Sequence, residues 1–282
     1  ATVEDEDGDS IRGMLFFDEV NLAPPNVQNA FYQLIHDRKV GSYSISKDIH
    51  VLAAGNREGV DRANVKSMPG PLRDRFDWAY LNPPDVDEWS KWAANHGVDE
   101  RVIAHLNTRG EDDLYNFEDE GMKDKDAFAT PRSWVRVSDK LQAVDNLSLD
   151  EIEKEAAGCV GKNVASAFVE FIKRRKEIEI QRYVDDPEII LEQEIDTQWA
   201  AMSAIAAMYE SNDESTREKA LATAVKVSKA LIDKGRTDMG NLMLVMCRRK
   251  DKDDFQDRLI DDDFEAVEEF EEVADEFRKM LY

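Results

Sequence analysis

Two adjacent acids, Asp18 and Glu19, directly follow the short apolar run Met14–Phe17. A continuous apolar run of this length is typical of a strand buried on both faces of a parallel sheet. A carboxylate at such a strand end could help to hold magnesium beside a bound phosphate chain, and its neighbour could activate a water molecule as a general base. Taken alone, the pattern also fits a strand that simply ends in two solvated acids.

A second polar residue, Asn56, ends the next apolar segment in the sequence AAGN (53–56). If the two segments form neighbouring strands, Asn56 lies beside Glu19 at the same edge of the sheet. An amide there could donate to a phosphate oxygen and accept from water. Asparagine after glycine is equally common as an ordinary turn residue.

Arginines occur in two further motifs. Arg73 and Arg75 lie in LRDRFD (72–77), where they could form ion pairs within their own domain or reach the nucleotide of a neighbouring subunit as arginine fingers. Arg132 lies in TPRSW (130–134), in the predicted first turn of a helix, where the helix dipole disfavours a cation. It is either a solvated surface residue or part of a site.

The elements needed to position these residues alternate over the first third of the chain. Residues 14–17, 49–55 and 78–81 have the apolar character of strands, and a helix with an apolar face begins at Pro24–Pro25. Residues 39–46 predict a small hairpin or loop with Gly41 at its turn, and residues 1–12 a polar loop. This order predicts an open α/β sheet.

From residue 85 onward the pattern is helical. Segments with amphipathic helical spacing cover 86–97, 99–109, 130–144, 149–158 and 164–178. Plausible N-cap residues precede four of them: Asp85, Asp99, Thr130 and Ser148. Residues 179–190 resemble a linker, and 191–282 predict about four more helices.

Charge and hydropathy limit the classes of function. The formal net charge of −24 disfavours binding to nucleic acid, which makes a DNA or RNA motor a poor fit. Both a solubility surface and an acidic docking face for a basic partner remain open. No apolar run is long enough to span a bilayer, and the acidic first residues do not form a signal peptide, so we expect a cytoplasmic protein with no membrane partner.

The order and spacing of these motifs resemble the AAA+ superfamily, within it the MoxR-like, dynein-related subgroup. Residues 14–40 (MLFFDEVNLAPPNVQNAFYQLIHDRKV) are similar to that group's Walker B strand and following helix. AAGN resembles its sensor 1, LRDRF (72–76) its arginine-finger box, and TPRSW its sensor 2. The resemblance is specific over about 11–84, fair to about 175, and rests on helical character beyond that.

The resemblance implies a fold, a set of roles and partners. The fold would be a partial AAA+ α/β core over 1–84, an all-α lid over 85–178 and an α-helical C-terminal extension over 179–282. Its ligands would be ATP and Mg²⁺, and its activity ATP hydrolysis coupled to chaperone-like protein remodelling. The chain would form a ring, which in this family is usually a hexamer. It would act on a protein substrate or with a von Willebrand factor A-type partner.

Each site residue then receives a role from the family motif that it matches. The resemblance makes Asp18 the magnesium-associated acid, Glu19 the catalytic base and Asn56 sensor 1. It makes Arg75 the arginine finger, with Arg73 as the second choice, and Arg132 sensor 2.

One family motif is missing from the sequence. No GxxxxGK[ST] phosphate-binding loop occurs, and the nearest string, AAGCVGKNV (156–164), has Ala156 and Asn163 where glycine and serine or threonine belong. We expect the natural protein to continue upstream of Ala1 with this loop. The alternative is a non-catalytic AAA+-derived scaffold or interaction protein that has lost ATP binding.

Overall fold

The computed structural model describes residues 13–46, 48–57, 68–117, 126–144, 146–248, 252–259 and 266–280. The predicted polar loop at 1–12 lies outside these residues. The chain divides into two compact units, Ala1–Asn82 and Pro83–Tyr282. The first contains a small parallel sheet with helices and the second is helical, which confirms an α/β part followed by an all-α part.

The first unit is organised around two parallel strands. Strand β1 (Gly13–Phe17) pairs with β4 (Ile49–Ala53), so that Phe17 lies opposite Ala53. Between them, helix α1 (Pro25–Asp37) has proline in its first turn, as predicted. The predicted hairpin is also present: β2 (Lys39–Val40) pairs with β3 (Tyr43–Ser44), and the turn glycine has a positive φ of 57°.

The two faces of this sheet differ in what covers them. Leu15 and Phe17 pack against the core formed with α1, where the Phe17 and Phe31 rings meet edge to face at 4.1 Å. On the opposite face Met14 and Phe16 are 67% and 57% exposed, although both are apolar. Parallel sheets are normally covered on both faces, so this face is unusual for its class.

The predicted strand at Trp78–Leu81 is wrong. After the short helix α2 (Gly70–Arg73) the chain continues without regular structure, and Tyr80 and Leu81 are 71% and 87% exposed. A strand requires a neighbour that completes its backbone hydrogen bonds. Strands β1 and β4 pair only with each other among the described residues, so an apolar sequence alone was insufficient.

The second unit confirms the helices predicted up to residue 178, with small shifts at their ends. The bounds of these helices are α3 (Val86–Asn95), α4 (Glu100–Arg109), α6 (Pro131–Ala143), α7 (Leu149–Val160) and α8 (Lys162–Lys176). A short helix that the sequence did not predict, α5 (Glu111–Leu114), directly follows α4. The predicted caps form as expected. For example, the Thr130 and Ser148 side chains accept from the N–H groups of Ser133 and Glu151.

The C-terminal part is also helical, and the predicted linker at 179–190 is wrong. That segment forms α9 (Ile180–Asp185) and a 3₁₀ helix (Pro187–Glu192), with Tyr183 and Ile190 buried. The remaining helices are α10 (Ile195–Tyr209), α11 (Glu214–Asp233), α12 (Thr237–Arg248), α13 (Lys252–Leu259) and α14 (Val267–Met280). Within the described ranges, none of the helices combines the length and apolarity needed to cross a membrane.

A single hydrophobic core extends through the second unit. It includes buried residues from before and after residue 178, among them Trp134 and Phe168 on one side and Met202 and Phe255 on the other. The helices predicted as a lid and those predicted as a C-terminal extension therefore share one core.

A buried arginine joins three of these helices. Arg175 of α8 donates from Nη2 to Glu100 Oε1 of α4 at 3.1 Å and from Nε to Ser203 Oγ of α10 at 2.8 Å. The two charged side chains are only 15% and 5% exposed. Removing one member of a buried pair leaves the other charge desolvated, which costs far more than the loss of a surface pair.

We therefore expect Arg175→Ala to lower the free energy of unfolding by about 3–5 kcal/mol. The neighbouring Arg174 is a matched control, since it is 63% exposed and bonds Asp196 at the surface. Arg174→Ala should cost less than about 1 kcal/mol. Urea unfolding followed by circular dichroism measures both, and equal losses would contradict the role of burial.

The core of the second unit contains a buried histidine. His105 is completely buried among the rings of Trp134, Phe168 and Phe171, with centroids 5.2–5.7 Å away. Its Nε2 lies 3.3 Å from Asp113 Oδ2. Burial lowers the pKa of His105 below its ordinary value of 6.5, and the opposing attraction of Asp113 does not reverse this.

Because the folded protein holds His105 neutral, stability should be present near neutral pH and decline as the pH falls below about 6.5. The unfolded chain binds a proton there that the folded chain rejects, with a slope of up to about 1.4 kcal/mol per pH unit for one group. Urea unfolding at pH 7.5, 6.5 and 5.5 measures the effect. His105→Phe should remove this part of the slope, whereas exposed His96→Phe should keep it. An unchanged slope in His105→Phe would refute the assignment.

Candidate functional site

The carboxyl ends of β1 and β4 are joined by backbone hydrogen bonds that continue past the strands. Ala54 N donates to Phe17 O at 2.8 Å, and Val20 N donates to Ala54 O at 2.9 Å. The two strands therefore end at the same edge of the sheet. Open α/β sheets bind ligands at this edge, beyond the carboxyl ends of their strands.

Asp18 and Glu19 lie at this edge and are both exposed. The Glu19 N–H donates to Asp18 Oδ1 at 3.0 Å, which orients the first carboxylate. Glu19 itself has φ 51° and ψ 38°, the left-handed region that costs a residue with a Cβ about 1–2 kcal/mol. Strained residues of this kind are found preferentially at functional sites.

Asn56 lies at the same edge and is connected to the β1 side by a residue that the sequence analysis did not single out. Asn21, in the 3₁₀ turn Val20–Leu22, donates from Nδ2 to Asn56 O at 2.6 Å. The structure thus brings Asp18, Glu19 and Asn56 to one end of the sheet.

The two arginines of LRDRF are held differently within the first unit. Leu72 is buried and Phe76 packs on the same core, where its ring stacks on Phe31 at 6.5 Å. The Arg75 guanidinium lies 4.4 Å over the ring of Tyr32 and donates to Pro71 O. Arg73 is exposed and lies 5.9 Å from the Trp78 ring, whose Nε1 donates to Arg73 O.

Arg132 belongs to the second unit and is exposed on the first turn of α6, as predicted. It lines an apolar cleft of about 570 Å³ together with Pro84, Glu88, Trp89, Trp92, Pro131 and Val135. Trp92 is 44% exposed and stacks on His96 with ring centroids 4.5 Å apart. The lining is mostly apolar, with Glu88 and Arg132 as its charged residues. No sequence signal indicated that Trp92 would line a cleft.

The residues that the structure places at this edge of the sheet could contribute a ligand to Mg²⁺ but do not form a complete metal site. The described residues contain no cluster of three or more His, Cys, Asp or Glu side chains that could form a metal cage. Magnesium does not need one when a nucleotide is present, since it keeps several waters and uses one or two carboxylates besides the phosphates. The exposed Asp18 carboxylate, oriented by the Glu19 N–H, could serve as one such ligand.

The string AAGCVGKNV lies where it cannot form a phosphate-binding loop. Gly158 is inside α7, and Gly161 (φ 88°) joins α7 directly to α8. A Cβ on Gly161 would lie 2.9 Å from the backbone oxygen of Ala127, so this turn is closely packed against another segment. It therefore differs from the strand–loop–helix context of such loops.

Comparison with protein-family models, with curated proteins and with solved structures gave no match to this chain.

Proposed function

We propose that the chain is part of an AAA+ ATPase of MoxR type and that it couples ATP hydrolysis to protein remodelling. The observation that carries this proposal is the single strand-end edge that holds Asp18, Glu19 and Asn56. The order of these residues along the chain supports the roles that the family resemblance implies. The register of the two strands that they follow supports the same roles.

In this proposal each residue at the sheet edge has one task. Asp18 would hold Mg²⁺, which would supply positive charge beside the phosphates of ATP. Glu19, which is exposed at the end of β1, accepts a proton from the attacking water. Asn56 contacts the γ-phosphate and the same water through its amide.

The arginines act from other segments. Arg75 stabilises transition-state charge on a nucleotide held by a neighbouring subunit, which requires a ring such as a hexamer, and Arg73 is the alternative finger. Arg132 contacts the γ-phosphate from its helix, and the neighbouring cleft beside Trp92 accepts an apolar, planar part of a ligand. Remodelling of a protein substrate, alone or with a von Willebrand factor A-type partner, follows from the family resemblance.

ATP binding in this scheme also requires a phosphate cradle, and the 282 residues contain no GxxxxGK[ST] motif. We propose that polypeptide outside these residues supplies it. The missing motif also favours a second candidate, a non-catalytic AAA+-derived scaffold that assembles without ATP and binds partners through its acidic helical unit.

We expect Glu19→Gln to bind ATP normally and to hydrolyse it at least about 100-fold more slowly, because the general base is lost. Asp37→Asn is a control that removes one exposed carboxylate from the same unit. Phosphate release and nucleotide binding should be measured with magnesium and with EDTA, using the natural form of the protein.

Magnesium-dependent turnover that is lost only in Glu19→Gln would support the proposal. Equal turnover in both variants would refute the role of Glu19. Absence of both binding and turnover in the unsubstituted protein would support the scaffold instead.

The finger assignment predicts complementation between subunits. Arg75→Ala should lower turnover about 10³-fold with unchanged nucleotide affinity, whereas Arg73→Ala should retain most of the activity. Mixing Arg75→Ala with Glu19→Gln subunits should restore turnover, since an intact base and an intact finger then meet at some interfaces.

Absence of recovery in subunits shown to mix, for example by native mass spectrometry, would contradict a finger acting between subunits. It would favour the intradomain contact of Arg75 with Tyr32 as its only role.

A further inference from the structure

We propose that Asn21 is a positioning residue that holds Asn56 at a fixed place relative to the strand end that carries Glu19. The inference rests on the proposed function for its effect on hydrolysis, but the contact itself is independent of that function. The contact is one side-chain hydrogen bond, from Asn21 Nδ2 to Asn56 O.

The bond joins the segments that follow β1 and β4, and it is a third hydrogen bond at this end of the strand pair. Beyond the last paired residues, Phe17 and Ala53, two backbone bonds connect the strand ends through Ala54. Residues 55–57, the part of the following segment that the structure describes, belong to no strand pair. The 2.6 Å bond from Asn21 reaches the carbonyl of Asn56 at this point.

Gly55 provides a second observation for a specific fit. A Cβ at this position would lie 2.5 Å from Asn21 Oδ1 and 2.9 Å from Cγ, too close for real atoms. No positive φ is involved, so the space taken by the Asn21 amide is what excludes a larger residue. The amide occupies the place of the missing side chain and keeps the 54–56 backbone close to β1.

The chemistry of the bond also fixes the orientation of the amide. Asn56 O can only accept, so the Asn21 NH₂ group must face it. The other end, Oδ1, is buried and has no hydrogen-bond partner among the described residues, and Asn21 as a whole is 9% exposed. Burial of a half-satisfied amide is unfavourable compared with an apolar residue of similar size. A positioning role accounts for an asparagine here.

The expected kinetic effect is on the chemical step. Asn21→Ala should lower kcat about 10- to 100-fold, the loss expected for a displacement of about 1 Å, and should leave the KM for ATP within about twofold. Asn21→Asp replaces the donor with a carboxylate that repels the Asn56 carbonyl. Its activity relative to wild type should rise as the pH falls, because a protonated carboxyl group can donate again.

A double-mutant cycle with Gly55→Ala tests the fit directly. Gly55→Ala should itself lower kcat, because its Cβ displaces the Asn21 amide. In the double variant Asn21→Ala/Gly55→Ala that collision no longer exists, so the double loss should be well below the product of the single losses. Multiplicative losses would overturn the proposal. A rise in KM without a fall in kcat would also overturn it.

Hydrogen exchange of the Val20 and Ala54 amides separates this inference from the proposed function. It should be measured in the unsubstituted protein, Asn21→Ala, Gly55→Ala and the double variant. Exchange should accelerate about equally in the Asn21→Ala and double variants. If the unsubstituted protein does not hydrolyse ATP but the exchange data are coupled in this way, the proposed function fails and the contact stands. If the exchange data show no coupling, the contact is refuted whatever the ATPase result.

Discussion

The register in which β1 pairs with β4 is the constraint on which the candidate site depends. Pairing of Phe17 with Ala53 fixes where each strand ends, and the bonds through Ala54 carry that alignment into the following turns. Side chains alternate between faces along a strand, so a slip of one residue would reverse which side chains meet the core. The same slip would displace Glu19 from Asn56 by more than 3 Å, about one residue's rise.

Aromatic contacts on the covered face of the sheet also fix the position of residues 72–76, the segment that contains Arg75. Phe31 of α1 touches Phe17 from the strand and Phe76 from the segment that carries Arg75, so one ring connects both. The helical unit is stabilised by its own apolar core and by the buried pair of Arg175 and Glu100. Each unit thus has its own source of stability, as expected for compact units of a chain.

Local patterns in the sequence were sufficient for much of the fold. Apolar runs predicted β1 and β4, and caps such as Thr130 and Ser148 predicted helix starts, because these signals act within a few residues. The strand at 78–81 was wrong because strand formation depends on a distant partner. Similarly, the linker at 179–190 was wrong because burial of Tyr183 and Ile190 depends on tertiary packing. Asp18, Glu19 and Asn56 could be grouped from the order of strands, whereas the bond of Asn21 to a backbone carbonyl has no sequence pattern.

The left-handed backbone of Glu19 has a consequence for which residues can be exchanged there. Glycine, asparagine and aspartate adopt this conformation more readily than glutamate. In a library that samples every residue at position 19, selection for folding alone should enrich the small residues. If Glu19 is the proposed general base, selection for hydrolysis should instead retain glutamate, because glycine and asparagine carry no carboxylate and aspartate holds its carboxylate closer to the backbone. Under the proposed function, the residues favoured at position 19 for folding would therefore differ from the residue required for activity.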